Sequence, residues 1–249
     1  MDITAYLRRI NYSGPLDPSA ETLRRLHRAH MLSVPFENLD IHIERLIVLD
    51  EAKLLSKVVG QRRGGFCYEL NGAFAALLRA LGFDVTMLSA EVAGGDGGFG
   101  PAFDHMALLV QLEARWLADV GFGDSFREPL LLDHSGEQAQ EDGAYRIERD
   151  GEHLTLERRD DSGLWQPQYR FTLRPYQYED YADMCRYHQT SPDSPFTKRR
   201  TCSLATPDGR ITLTDMRLIT TTRGERREKT LATQEEYAAA LREHFGVEL

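Results

Sequence analysis

The hydrophobic period of this chain changes once, and that change constrains the fold more than any other feature. Up to Gly82, apolar residues recur at helical spacing. Leu70, Phe74, Leu77, Leu78 and Leu81 show it best, lining one face of a helix that Gly82 ends. From Phe83 the period is two. Residues 85–92, 105–112 and 115–120 alternate as strands do, with a short turn at Glu113-Ala114. Further strands are expected at 144–149, 153–159 and 168–174, and Asp150-Gly151 is a hairpin turn between the first two. The tail mixes a helix at 178–188, strands near 201–205 and 210–222, and a closing helix from Thr233, with a capping-box pattern at Thr233 and Glu236. Helices, then antiparallel strands, then a mixed tail predict an α+β protein rather than an alternating βαβ sheet.

Three helix starts precede the change of period. Asp17-Pro18 reads as a capping carboxylate followed by proline at the first helical position. Residues 19–32 then place Leu23, Leu26, His27 and His30 at helical spacing. The other starts follow Asp50 and Gly64-Gly65. A chain of 249 residues buries a core without disulfide or metal staples. Its 30 basic and 39 acidic residues give a net charge of −9, which argues against a general nucleic-acid partner. The N-terminus lacks a secretory apolar segment, and no apolar run is long enough for a membrane span. Three cysteines with no C-x-x-C pair make no disulfide framework. A soluble, cytoplasmic protein in a reducing compartment is expected.

Cys67 stands out among those cysteines. It follows Arg63-Gly64-Gly65-Phe66 and falls in the first turn of the predicted helix. Unpaired amides and the positive end of the helix dipole lie there, and adjacent Arg63 adds charge, so a thiolate is expected. The same amides suit an oxyanion hole. Cys185 and Cys202 lack this setting and read as small core residues. A thiolate nucleophile needs a base and a group to orient it. His105 opens one strand and Asp119 closes the next; with the turn near residues 113–114, His105 faces residue 121 or 122 and lies diagonal to Asp119. His27 and His30 share a helix, but no H-E-x-x-H or Cys/His cluster accompanies them, so no metal is expected. The glycine-dense run 94–100 lacks the lysine and hydroxyl of a P-loop and reads as a loop between strands.

Five motifs, in order, resemble those of the arylamine N-acetyltransferase family and cover nearly the whole chain. They are Val34-Pro35-Phe36-Glu37-Asn38-Leu39, Arg63-Gly64-Gly65-Phe66-Cys67-Tyr68-Glu69-Leu70-Asn71, His105-Met106-Ala107-Leu108-Leu109-Val110, Asp119-Val120-Gly121-Phe122-Gly123 and Ser191-Pro192-Asp193-Ser194-Pro195-Phe196. The resemblance implies a helical bundle (1–82) carrying the nucleophile and an antiparallel β-barrel-like domain (83–174) carrying the histidine and aspartate. An interdomain helical segment (175–200) and an α/β lid (201–249) follow, and the first two parts have a papain- and transglutaminase-like cysteine core. It implies Cys67 as nucleophile, His105 as base and Asp119 as orienting acid. Acetyl-CoA would be the donor, without a metal, and an arylamine or hydrazine the acceptor. Phe36, Phe122 and Phe196 would line the acceptor cleft, and Tyr187 would lie near coenzyme A. Lys198, Arg199 and Arg200 would either meet the phosphates of coenzyme A or form a solvated run, the reading charge runs favour, and Arg63 with Glu37 reads as an ion pair beneath the site.

Two places depart from the family pattern: Pro101-Ala102-Phe103-Asp104, where some members have small or hydroxyl residues near coenzyme A, and Asp193, where others have Ser or Thr; both bear on how coenzyme A is bound. The nearest rival is a family relative, a macrolactam-forming amide synthase with a carrier-bound acyl donor. A cysteine peptidase or transglutaminase shares the Cys, His, Asp order. A binding module would leave Cys67 unreactive.

Overall fold

A computed structural model describes residues 1–95, 97–141 and 143–249. Helices α1 (Ile3–Arg9), α2 (Ala20–Met31), α3 (Leu39–His42), α4 (Glu51–Leu55) and α5 (Cys67–Ala80) come first, with the short strand β1 (Phe36–Glu37) between α2 and α3. A π-helical turn, Ser56–Gly60, extends α4. Strands β2 (Asp84–Val92), β3 (His105–Gln111), β4 (Arg115–Ala118), β5 (Leu130–Leu131), β6 (Gln138–Gln140), β7 (Gly143–Asp150), β8 (His153–Arg159) and β9 (Trp165–Phe171) follow. A 3-10 turn (Tyr178–Tyr181) leads into α6 (Ala182–Thr190) and α7 (Pro195–Lys198). The chain ends with β10 (Thr201–Thr206), β11 (Gly209–Thr214), β12 (Arg217–Thr222), β13 (Glu225–Thr230) and α8 (Gln234–Phe245).

The change of period is a real boundary between helix and sheet. Strands β2 to β9 form one antiparallel sheet of eight, ordered β5-β4-β3-β2-β9-β8-β7-β6. Its ends meet through side chains: the Gln138 amide on β6 accepts from Leu131 N–H at 2.8 Å and donates to Leu131 C=O at 2.9 Å on β5. Gln140 repeats the device on the Arg127 and Glu128 backbone. That nearly closes a barrel. Alternate residues of β3 pack on opposite faces. Met106, Leu108 and Val110 join the helical core around α5, while Ala107 joins the barrel core with Leu117, Phe126 and Tyr169. A central strand buried on both faces reads as a continuous apolar run.

Several local expectations are corrected. The cap of α2 is Ser19, whose hydroxyl accepts from Thr22 N–H, so Asp17-Pro18 lies outside the helix. Residues 210–222 are two strands, β11 and β12, turning at Asp215 with φ +48°. Strand β13 escaped the reading because all six of its residues are exposed and mostly charged, leaving no alternation; charge protects a sheet edge from mispairing. Strand β9 starts at Trp165, with Pro167 accommodated where the β8–β9 register shifts. Of the capping box on α8, Thr233 accepts from Glu236 N–H, but the Glu236 carboxylate reaches Ala232 N–H instead. In the glycine-dense run, Asp96 lies outside the described residues; the rest links β2 to β3 as a loop, with Gly94 N–H bonded to Gly98 C=O.

Beneath the first turn of α5 lies a buried ion cluster. Arg63 forks onto Glu37 (2.8 and 2.9 Å) and also reaches Asp40 at 2.9 Å. Lys57, on the π-helical turn, bonds Asp40 at 2.8 Å and Glu69 at 2.7 Å. The second Glu69 oxygen accepts from Phe66 N–H at the head of α5. Burial lifts the Glu69 carboxyl to about 7, against the pull of Lys57. Gly64 is required here: a Cβ would sit 1.9 Å from the Pro35 carbonyl oxygen. β1 pairs antiparallel with β10 (Phe36 with Ser203) and bridges Gly65 on its other side. One motif thus fastens the helices to the C-terminal sheet.

Removing one partner from such a cluster strands the others without compensation. Arg63→Met should lower unfolding free energy by about 3–5 kcal/mol, read from urea denaturation. A loss below about 1 kcal/mol would show the cluster to be dispensable.

Candidate active site

Helix α5 and the β3–β4 hairpin build the site. Cys67 is the first residue of α5, with Phe66 as its cap. Leu108 faces Ala118 and Gln111 faces Arg115, the register that sets His105 diagonal to Asp119. His105 Nε2 lies 2.7 Å from Asp119 Oδ2. That engagement leaves Nδ1 as the nitrogen able to take another proton. Cys67 and His105 line one cleft of about 240 Å³ with Phe36, Val92, Asp104, Gly121, Phe122, His188, Pro195 and Phe196. The structure thus brings Cys67, His105, Phe36, Phe122 and Phe196 together, with Asp119 behind the imidazole. Tyr187 is not among the lining residues; it is exposed on α6, its ring 5.6 Å from that of His188.

Asp119 is fully buried, and both carboxylate oxygens are engaged. Oδ1 accepts from Asn71 Nδ2 at 2.8 Å and from Gly121 N–H at 2.9 Å. Asn71 also donates to Met106 C=O at 2.6 Å and accepts from Val120 N–H at 2.9 Å. It lies one turn beyond Cys67 on the same face of α5, so one helix sets nucleophile and acid together. Burial pushes the Asp119 carboxyl up, but His105, Asn71 and the Gly121 amide outweigh it and hold the group below its ordinary value. Gly121 packs so closely on α5 that a Cβ would meet Cys67 Cα and carbonyl oxygen at 2.8 Å. Tyr169 braces the imidazole, its ring 5.1 Å from His105 and 5.2 Å from Phe122.

Sequence reading missed Asn71 as an anchor and His27 as a partner. His27 Nε2 accepts from the Asp119 backbone N–H at 3.1 Å, and Nδ1 donates to Arg127 C=O at 2.8 Å. Both His27 ring nitrogens are spent on backbone, and His30 Nδ1 meets Tyr6 Oη at 3.1 Å. Among the described residues no cluster of metal-binding side chains occurs.

The expected resting thiolate is corrected. Arg63 is spent on Glu37 and Asp40 and gives the sulfur no charge of its own. Burial pushes the Cys67 thiol well above its ordinary value, and the carboxylates of Asp119 and Asp104 add to this against a hydrogen bond to the Met106 backbone. Burial and both carboxylates thus oppose ionisation of the Cys67 thiol. Burial also lifts Cys185, to about 12, and Cys202. The basic run scatters: Lys198 donates to Asp193 C=O, Arg199 pairs with Asp215, and the Arg200 guanidinium sits 4.4 Å over the Tyr237 ring.

A family model described as N-acetyltransferase matches residues 19–249. Arylamine N-acetyltransferase of Escherichia coli K12 is 36% identical over 97% of this chain and 87% of its own length. Proansamycin X synthase of Amycolatopsis mediterranei is 30% identical over 96% of this chain and 95% of its own. The structure of Mycobacterium marinum arylamine N-acetyltransferase in complex with CoA superposes with a TM-score of 0.91 at 31% identity, covering 99% of this chain and 93% of that one.

Two measurements follow from this geometry. At pH 7, iodoacetamide should alkylate Cys67 in His105→Gln at least about tenfold more slowly than in wild type, since the thiol loses its proton acceptor; equal rates would sever the pair. Burial also lowers His27 from 6.5 to about 4. Between those values the unfolded chain holds more protons, so stability falls as pH falls. Glu69, lifted in the folded state, acts in the opposite sense, so the effect is read as a difference. From pH 6.5 to 4 the wild-type unfolding free energy, read from urea denaturation, should drop more steeply than that of His27→Gln, by up to about 1.4 kcal/mol per pH unit.

Proposed function

We propose, on the premise that this chain belongs to the arylamine N-acetyltransferase family, that it transfers the acetyl group of acetyl-CoA to arylamines, arylhydrazines or similar amines through an acetyl-cysteine. The observation that carries this reading is the shared cleft: Cys67 and His105 line it together, and Asp119 holds the imidazole from behind at 2.7 Å. In this reading Cys67, His105 and Asp119 are nucleophile, base and orienting acid. The thiol proton passes to His105, and the sulfur attacks the thioester carbonyl. The unpaired amides of the first turn of α5 face the developing oxyanion. The C–S bond to coenzyme A breaks, and the departing thiolate takes the proton from His105. An amine then attacks acetyl-Cys67, gives its proton to His105, and releases the sulfur as the amide forms. Two half-reactions in one cleft make the kinetics ping-pong.

Acceptor choice follows from basicity and shape. An arylamine is neutral at pH 7 and keeps its lone pair, whereas an alkylamine is largely an ammonium ion. Phe36, Phe122 and Phe196 give the cleft aromatic walls suited to a flat ring. The mycobacterial complex with CoA supports coenzyme A as the donor's carrier. Among the described residues no helix is long and apolar enough to cross a membrane; a reducing cytoplasm, where Cys67 stays a thiol, is the setting we assign.

Intact-mass analysis after mixing with acetyl-CoA tests the reading. The protein should gain one acetyl group, lose it on adding an arylamine, and gain none as Cys67→Ala. Folded wild-type protein that stays unmodified would overturn the acetyl-CoA reading and favour a carrier-bound donor.

A further inference from the structure

The cleft holds a second imidazole–carboxylate pair that the acetyl transfer leaves unused. His188 on α6 is buried, with Nε2 3.2 Å from Asp104 Oδ1 and 3.3 Å from the Asp104 carbonyl oxygen. Its Nδ1 lies 3.4 Å from Ser194 Oγ, and its ring meets Phe196 edge-on at 4.9 Å. The ring is thus contacted by Asp104, Ser194 and Phe196. Tyr68 pins the same segment, donating to Phe103 C=O. Asp104 is the one carboxylate among the described residues lining the cleft, and its side chain is 21% exposed. Opposite lie apolar walls. Lys198 and Arg199 line the adjoining pocket and are turned to the Asp193 carbonyl and to Asp215.

We propose that Asp104, held by His188, sets which amines the cleft accepts: it admits uncharged arylamines and arylhydrazines and turns away arylamines that carry a carboxylate. This rests on the acetyltransferase reading above. The reason is electrostatic. A carboxylate brought to about 6 Å of Asp104, at an effective dielectric near 40, loses about tenfold in productive encounters. An uncharged group of the same shape loses nothing, and a donor such as a hydrazine N–H gains the free oxygen of Asp104 as an acceptor.

The test compares 4-aminobenzoate with 4-aminobenzamide, which match in shape and differ in charge. In a ping-pong reaction kcat/KM for the acceptor starts from the acetyl-enzyme, so effects on Cys67 or on acetyl-CoA cancel in the ratio of the two. Wild-type protein should prefer the amide by about tenfold, less at high salt as the charges are screened. Asp104→Asn should bring the two within about threefold. His188→Gln, which keeps the carboxylate but frees it, should retain most of the preference. An unchanged ratio in Asp104→Asn, or wild-type preference for the benzoate, overturns this proposal and leaves the acetyltransferase reading intact. If wild-type protein acetylates neither amine, both readings fall.

Discussion

The structure hangs on the ionic cluster under the head of α5. Arg63 and Lys57 share three carboxylates, Glu37, Asp40 and Glu69, from three separate segments. Each buried charge there is tolerable only because the others are present. Through Glu37 the cluster fixes β1, and β1 carries Phe36 into the cleft on one side and pairs with the C-terminal sheet on the other. Through Glu69 and the Phe66 amide it fixes the cap of α5, and so the sulfur. Asn38, next in the same motif, adds bonds to Phe196 C=O, Arg199 C=O and Thr201 N–H. A charge cluster beneath the first turn of α5 thus sets the walls of the site.

That cluster also changes what activates the thiol. A cation beside a helix N-terminus suggests a sulfur that is ionised at rest. Here the cation is spent on Glu37 and Asp40, and the sulfur is buried with two carboxylates in range. In the mechanism proposed above, ionisation is a property of Cys67 and His105 together, with charge separated only over the distance between them. Asp119, held low by His105, Asn71 and the Gly121 amide, supplies the fixed negative end. The order of events in the first half-reaction follows from burial more than from the helix dipole.

Patterns of short range were legible in the sequence. The helical face of α5, the change of period at Phe83 and the β3–β4 register all follow from neighbours in the chain, and that register alone aligns His105 with Asp119. The anchors were not legible. Asn71 meets Asp119 across 48 residues and His27 meets it across 92, and neither bond leaves a periodic trace. Barrel closure by Gln138 and Gln140 was hidden for the same reason: glutamines that replace a backbone ladder look like surface residues. Edge strand β13 was hidden by its charge. His188 stood beside the residue singled out for coenzyme A, yet its partner Asp104 lies 84 positions back.

The two long bonds to Asp119 bear on how the protein is made. The acid is secured by α2, by α5 and by its own hairpin, so no fragment of the chain contains a finished site. Contacts of such separation form late, because loop closure must precede them. Arg127, whose carbonyl receives His27, sends its guanidinium to the carbonyls of Pro207 and Gly209. The C-terminal sheet is therefore wired to the same residue that steadies the acid's partner. A chain that has emerged only as far as Cys67 holds neither His105 nor Asp119, so the thiol precedes its partners by 38 and 52 residues.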